Sequence, residues 1–169
     1  LMKPATPDEP QGKVNLAVEK IFNIWQESKP ERSAQLVFCD LSTPKDKGFS
    51  VYNDMAQKLE KLGIPNSEIA FIQDYDSDVS KLTLFRDVRA GKVRVLFGST
   101  QKMGSGTNVQ ERLIALHHLD APWRPADVEQ REGRILRQGN KNSVVQVFRY
   151  VTEGSFDAYM WQTLETKAK

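Results

Sequence analysis

Cysteine is nearly absent from this chain: Cys39 stands alone among 169 residues, so no internal disulfide can form. It lies in an apolar run, where a buried, inert thiol is expected, and single-cysteine usage fits a reducing, cytoplasmic setting. Histidine is equally scarce, with only His117 and His118. Neighbours on a strand point to opposite faces, and no cysteine or carboxylate spacing completes a ligand set, so a metal centre is not expected. No apolar stretch reaches the length of a membrane span, and residues 1–10 contain no apolar targeting core. Neither sign of charge dominates. Lysine and arginine number 24 against 22 aspartate and glutamate, for a net charge of +2, which excludes a general polyanion binder and confines any nucleic-acid contact to a local surface. There is no internal repeat, no low-complexity tract, no Ser-His-acid arrangement and no glycosidase-like carboxylate pair. A start at Leu1 looks like the start of an excised segment.

What is present is one domain's length of alternating elements. The first dozen residues hold Pro4, Pro7 and Pro10 without periodicity and read as a linker over 1–12, with the folded domain over 13–169. Val14, Ala17, Val18, Ile21, Phe22 and Trp25 recur at helical spacing until Lys29-Pro30 ends the pattern. Gln35 to Asp40 reads as a buried strand. Tyr52, Met55, Leu59 and Leu62 mark a second helix closed by Gly63, and the strand Ile69 to Ile72 follows. A third helix should turn Val79, Leu82, Phe85 and Val88 inward and stop at Gly91. Val93 to Phe97, Leu113 to Leu119 and Val144 to Tyr150 are further apolar, β-branched strands. Trp25 and Trp161 read as helix core positions, and Trp123 as a packing anchor beside Pro122 and Pro125. Short apolar strands alternating with helices argue for a parallel sheet covered on both faces, a RecA-like α/β sandwich. Functional groups in such sheets gather at the carboxyl ends of the strands.

Two segments carry chemistry. The first, Gly98 to Asn108, follows a strand directly and is rich in glycine and hydroxyls; such a loop lets backbone amides approach a phosphate or sugar. Its spacing is not that of a Walker A loop, and a tight turn is the plainer alternative. The second, Pro125 to Asn140, opens with proline in a first helical turn and places Arg134 and Arg137 three residues apart. On a helix that spacing puts two guanidinium groups on one face, which suits the spread charge of a phosphoryl transition state. An exposed basic edge paired with Glu129 and Glu132 would give the same spacing.

Order and combination separate these readings. Ser99, Thr100, Gly104, Gly106 and Asn108 fall on the pattern Ser-Thr-x-x-Gly-Gly-x-Gly-x-Asn, with one departure. Gln130, Arg134, Arg137 and Gly139 fall on Gln-x-x-x-Arg-x-x-Arg-x-Gly-Gln, with Asn140 replacing the last glutamine. Asp120-Ala121-Pro122-Trp123-Arg124-Pro125 lies between them as an Asp-x-x-Trp-Asn-Pro-like turn. In this order the motifs resemble the C-terminal lobe of Snf-type superfamily 2 helicases and translocases, over nearly the whole chain after Lys13. Residues 41–44, 115–120 and 130–140 further resemble large bacterial and phage mobile-element proteins that join such a motor to a DNA methylase region.

That resemblance implies a second motor lobe. Arg134 and Arg137 would serve as arginine fingers toward ATP and Mg²⁺ held mainly by an N-terminal RecA-like lobe, and Gln130, Gly106 and Asn108 would lie near the nucleotide. Ser99, Thr100 and Lys102, with Ser42, Thr43 and Lys45 at a second strand end, would contact the backbone of DNA, expected to be duplex. Gln73 and Asp74 mark a third strand end, but Tyr75 stands where the family has glycine and no contact is expected there. The alternative is a RecA-like lobe without catalysis, kept as a nucleic-acid or protein binding module. This chain alone, with no Walker A lysine, is expected to show no ATPase activity.

Overall fold

The computed structural model describes residues 10–40, 50–103 and 108–168. Five strands form one sheet: β1 (Ala34–Phe38), β2 (Ile69–Phe71), β3 (Val95–Gly98), β4 (Leu113–His118) and β5 (Gln146–Arg149). Their order is β2-β3-β1-β4-β5, and each neighbouring pair is parallel. Around them lie α1 (Pro10–Glu27), α2 (Val51–Leu62), α3 (Asp78–Arg89), the short α4 (Thr100–Met103), α5 (Pro125–Glu132) and α6 (Phe156–Ala168). This is the RecA-like α/β sandwich that the alternation predicts.

Side-chain alternation along β1 builds the core. Val37 and Cys39 join Val14, Ile21 and Trp25 of α1 and Tyr52, Met55 and Leu59 of α2 on one face. Leu36 and Phe38 join Leu84, Phe85 and Val88 of α3 on the other. All five residues of β1 are buried, as expected of a strand covered on both sides. β1 is also where the chain reverses its direction of strand addition. β2 and β3 lie to one side of it and β4 and β5 to the other, so its carboxyl end opens a crevice.

Several expectations are corrected in detail. The first helix begins at Pro10, three positions before Lys13, because proline is tolerated in a first helical turn. In α3 the inward stripe is Leu84, Phe85 and Val88, while Val79 and Leu82 are exposed at 74% and 62%; only the carboxyl half of the helix packs on the sheet. Leu62 is likewise exposed, one residue before Gly63, whose φ of +124° ends α2. Trp123 is 63% exposed, touching Phe156 ring to ring at 6.2 Å, and so does not anchor the core. Trp25 and Trp161 are buried as expected.

Buried polar groups are tied across the sheet. Arg94, wholly buried, donates to the carbonyls of Ser33 and Trp25 and to Ser28 Oγ at 2.8–3.1 Å, and stands 3.9 Å from Glu68. It thereby places a cation at the carboxyl end of α1, where the helix dipole favours one. Burial pulls its pKa down to about 10, so it stays charged.

Candidate functional site

A cleft of about 670 Å³ opens at the carboxyl ends of β1, β2 and β3 and is lined by Asp40, Gln73, Ser99, Thr100, Gln101, Lys102, Arg124, Asp127 and Gln130. It brings together Ser99, Thr100 and Lys102 from the glycine-containing loop and Gln130 from the arginine motif. Gln73 also lines it, although its loop departs from the resembled pattern at Tyr75. Ser42, Thr43, Lys45 and Gly106 lie outside the described residues. Asn108 is exposed and does not line the cleft; its carbonyl accepts from Arg89 Nη1.

The loop after β3 is shaped by inward bonds. Ser99 Oγ accepts from the Lys102 amide at 3.1 Å, which starts the single turn of α4. Thr100 gives its amide to Asp40 Oδ1 at 2.7 Å, and its hydroxyl lies 2.8 Å from Asp40 Oδ2 while accepting from Arg131 Nε at 2.8 Å. Thr100 thus spends its hydroxyl inside the protein, whereas Lys102 and Gln101 are exposed at the rim. Gly98 also serves the interior. A Cβ there would lie 2.8 Å from Met103 Cγ and 3.1 Å from Ile72 Cγ2.

Arg131, which the sequence reading passed over, is the hub of this arrangement. It is wholly buried and has five N–H donors. Nε reaches Thr100, Nη1 reaches the Asp120 carbonyl at 2.8 Å and His118 Nδ1 at 3.1 Å, and Nη2 reaches Asp120 Oδ1 and Asp40 Oδ2, both at 2.9 Å. Its guanidinium also lies over the Phe38 ring, 5.3 Å from the centroid. Asp120 in turn accepts from the Asp40 amide at 2.7 Å. One sequence signal could have found Arg131. Asp40 and Asp120 end adjacent strands, and two carboxylates at neighbouring strand ends call for a shared cation.

The two histidines divide between the faces as strand alternation requires. His118 accepts from Arg131 through Nδ1, so Nε2 carries the proton and donates to Glu132 at 2.9 Å. Burial is the first cause lowering its pKa, and the bond from His118 holds the Glu132 carboxyl below its usual range. Across the sheet His117 sits between Tyr150 Oη and Gln35 Oε1, each at 2.7 Å. Burial pushes its pKa down to about 3.

Arg134 and Arg137 do not share a helix face. α5 ends at Glu132: the Gly133 amide bonds back to Glu129 at 2.8 Å, three-residue turns follow from Arg134 to Arg131 and from Ile135 to Glu132, and the Leu136 amide also reaches the Glu132 carbonyl at 2.9 Å. The turn drives Ile135, 1% exposed, into the core on the α3 face. It leaves Arg134 buried and Arg137 exposed. They remain electrostatic neighbours, since burial first and then Arg137's charge lower the Arg134 pKa. The carbonyl of Gln138 accepts from Gln110, and Asn140 donates to the carbonyls of Leu113 and Ile135, which pins the end of this segment to the start of β4. Asn140 therefore does structural work where the resembled pattern has glutamine.

Residues 16–139 match the model of the helicase conserved C-terminal domain. The chain belongs to that family. As a helicase C-terminal domain it is similar to the Defense against restriction protein B of Escherichia phage P1, 31% identical over 109 residues that make up 61% of this chain and 5% of the phage protein. It thus spans a small fraction of that relative's length. Among solved structures it resembles the C-terminal part of the Fun30 ATPase domain, with a TM-score of 0.69 and 18% identity over 93% of this chain and 47% of that one. It also resembles S. cerevisiae Dbp5 bound to RNA and ADP BeF3, with a TM-score of 0.67 and 16% identity over 96% of this chain and 37% of that one. The helicase MrfA bound to DNA gives a TM-score of 0.62 and 14% identity over 89% of this chain and 20% of that one. At these identities the structures share the fold.

Proposed function

We propose that this domain is the second motor lobe of a DNA-dependent ATPase of the Snf type, acting from the cytoplasm with an N-terminal RecA-like lobe on duplex DNA. One observation carries the reading: Gln130 and Arg131 of α5 hold Thr100 in the cleft, and the turn bearing Arg134 and Arg137 begins on the Arg131 carbonyl. The two motifs of the sequence therefore meet at one place. Lys102 and Arg124 offer phosphate contacts that position a strand without reading its sequence, and Ser99 and Thr100, their hydroxyls bonded inward, hold the turn that carries Lys102. Ser42, Thr43 and Lys45 are assigned to the same strand.

Arg137, exposed, is the guanidinium that reaches toward ATP in the first lobe, and Arg134 stands behind it. Guanidinium groups suit the spread charge of a phosphoryl group in transfer. Gln130, Gly106 and Asn108 are assigned to the nucleotide side. Among the described residues no three His, Cys, Asp or Glu side chains converge as a metal site, and the Mg²⁺ that accompanies ATP is assigned to the first lobe. The likeness to a phage protein named for defence against restriction fits a mobile-element protein, in which a methylase region would be a further partner.

Substituting Arg137→Ala in the two-lobed protein tests the assignment. ATP affinity should change by no more than about threefold, while DNA-stimulated hydrolysis falls by roughly three to five powers of ten, and Arg137→Lys should not restore it because it lacks the planar fork. Unchanged turnover would count against the finger role of Arg137.

A further inference from the structure

Arg131 and its neighbour Gln130 join the cleft to the arginine turn. All five donors of Arg131 are engaged, and their acceptors come from four residues: Asp40 after β1, Thr100 in α4, and His118 and Asp120 at the end of β4. Gln130, its neighbour, reaches the Thr100 carbonyl at 3.4 Å, so two successive residues of α5 grip the loop from two directions. On the other side the Arg134 amide donates to the Arg131 carbonyl at 3.2 Å. Thr100, the end of α5 and the start of the turn that carries Arg134 and Arg137 are therefore linked through Arg131.

We propose that Arg131 is the positioning residue that couples nucleic acid in the cleft to the placement of the arginine turn. It touches neither ligand and acts through Thr100 on one side and its own backbone on the other. The inference rests on the two-lobed reading given above. A planar fork is essential to the role, because only a guanidinium can serve two carboxylates, a hydroxyl, a carbonyl and an imidazole at once; a lysine brings three donors and no fixed geometry.

Coupling is reciprocal, so it is read as a ratio of affinities and is insensitive to the fraction of active molecules. The experiment measures the Kd of duplex DNA for the complete two-lobed protein, without nucleotide and with ADP plus beryllium fluoride. Wild type should show a coupling ratio in the roughly 5- to 150-fold range usual for linked sites. In Arg131→Lys the ratio should fall to within about twofold of unity, while the DNA Kd without nucleotide and the nucleotide Kd without DNA each stay within about threefold of wild type. Lys102→Ala should do the reverse, weakening DNA binding and keeping the ratio. An unchanged ratio in Arg131→Lys overturns the proposal. Should that variant fail to fold, Arg131→Met with Asp120→Asn, which removes one buried charge of each sign, is measured instead and should show the same collapse. Failure of both to fold would assign Arg131 to stability alone and overturn the coupling role. A wild-type protein that hydrolyses ATP on DNA yet shows no ratio removes this proposal and leaves the motor reading standing; a wild type that does not hydrolyse ATP removes both.

Discussion

At the scale of single residues, the buried histidines make stability depend on pH in a direction that can be worked out. His117 stays neutral in the folded protein down to about pH 3, whereas an unfolded chain's histidine titrates near 6.5. Between those values the unfolded state binds the extra proton, so the contribution is fully present above about pH 6.5 and is lost as pH falls toward 3. The slope for one such group is about 1.4 kcal/mol per pH unit. His118 is lowered as well and pulls in the same direction. Urea unfolding at pH 6.5 and 5.0 should therefore show a decline that is shallower by about that slope in His117→Gln, which cannot titrate. Parallel declines in the two proteins would place the proton elsewhere. His117 was visible in the sequence only as half of a pair on opposite faces. Its partners, Gln35 of β1 and Tyr150 just after β5, lie on either side of β4, and no local pattern announces such a contact.

Whole elements were far more legible, because their signals are short-range. Apolar runs located every strand to within a few residues, and the glycines after α2 and α3 marked their ends. The face of α3 was misjudged, since Val79 and Leu82 continue the helical stripe beyond the area the sheet offers. The candidate site was half legible. Its motifs were in view, but the helix expected to carry Arg134 and Arg137 stops at Glu132 with Gly133 as its cap, and the turn that follows buries Ile135. Arg131 escaped notice because its five acceptors are dispersed along the chain. The glycine loop gives a further test. Gly98 reads as freedom for the backbone near a ligand, yet an added Cβ would press on Met103, the last residue of α4. Gly98→Ala should cost about 1–3 kcal/mol, the usual range for overpacking, since Met103 can yield only in part. It should also weaken DNA binding by displacing Lys102. Chemical denaturation and a DNA titration of one variant check both, and an unperturbed protein would mean that the core beneath α4 is loosely filled.

For the whole molecule, the near balance of charge sets what this lobe can do by itself. With a net charge of +2, no long-range field draws it to DNA, and on the proposed reading its affinity comes from the cations at the cleft. Among the described residues Lys102 and Arg124 are the cations that line it, and Arg124 already shares its charge with Asp127 at 3.0 Å. Adding Lys45 gives at most three phosphate contacts, so log K for duplex DNA should fall with log salt at a slope no steeper than about −3. Fluorescence anisotropy of the isolated 169 residues at low salt measures that slope directly. A value of −5 or beyond would place the DNA on another surface. The same preparation should hydrolyse no ATP with or without DNA, because arginine fingers stabilise a transferring phosphoryl group and do not hold the nucleotide that carries it. Adding the first lobe in trans should then restore DNA-stimulated turnover in proportion to lobe association, and Arg137→Ala should abolish that gain. Turnover by the isolated lobe would mean that it contains a complete phosphate site of its own, and the division of labour between two lobes would have to be abandoned.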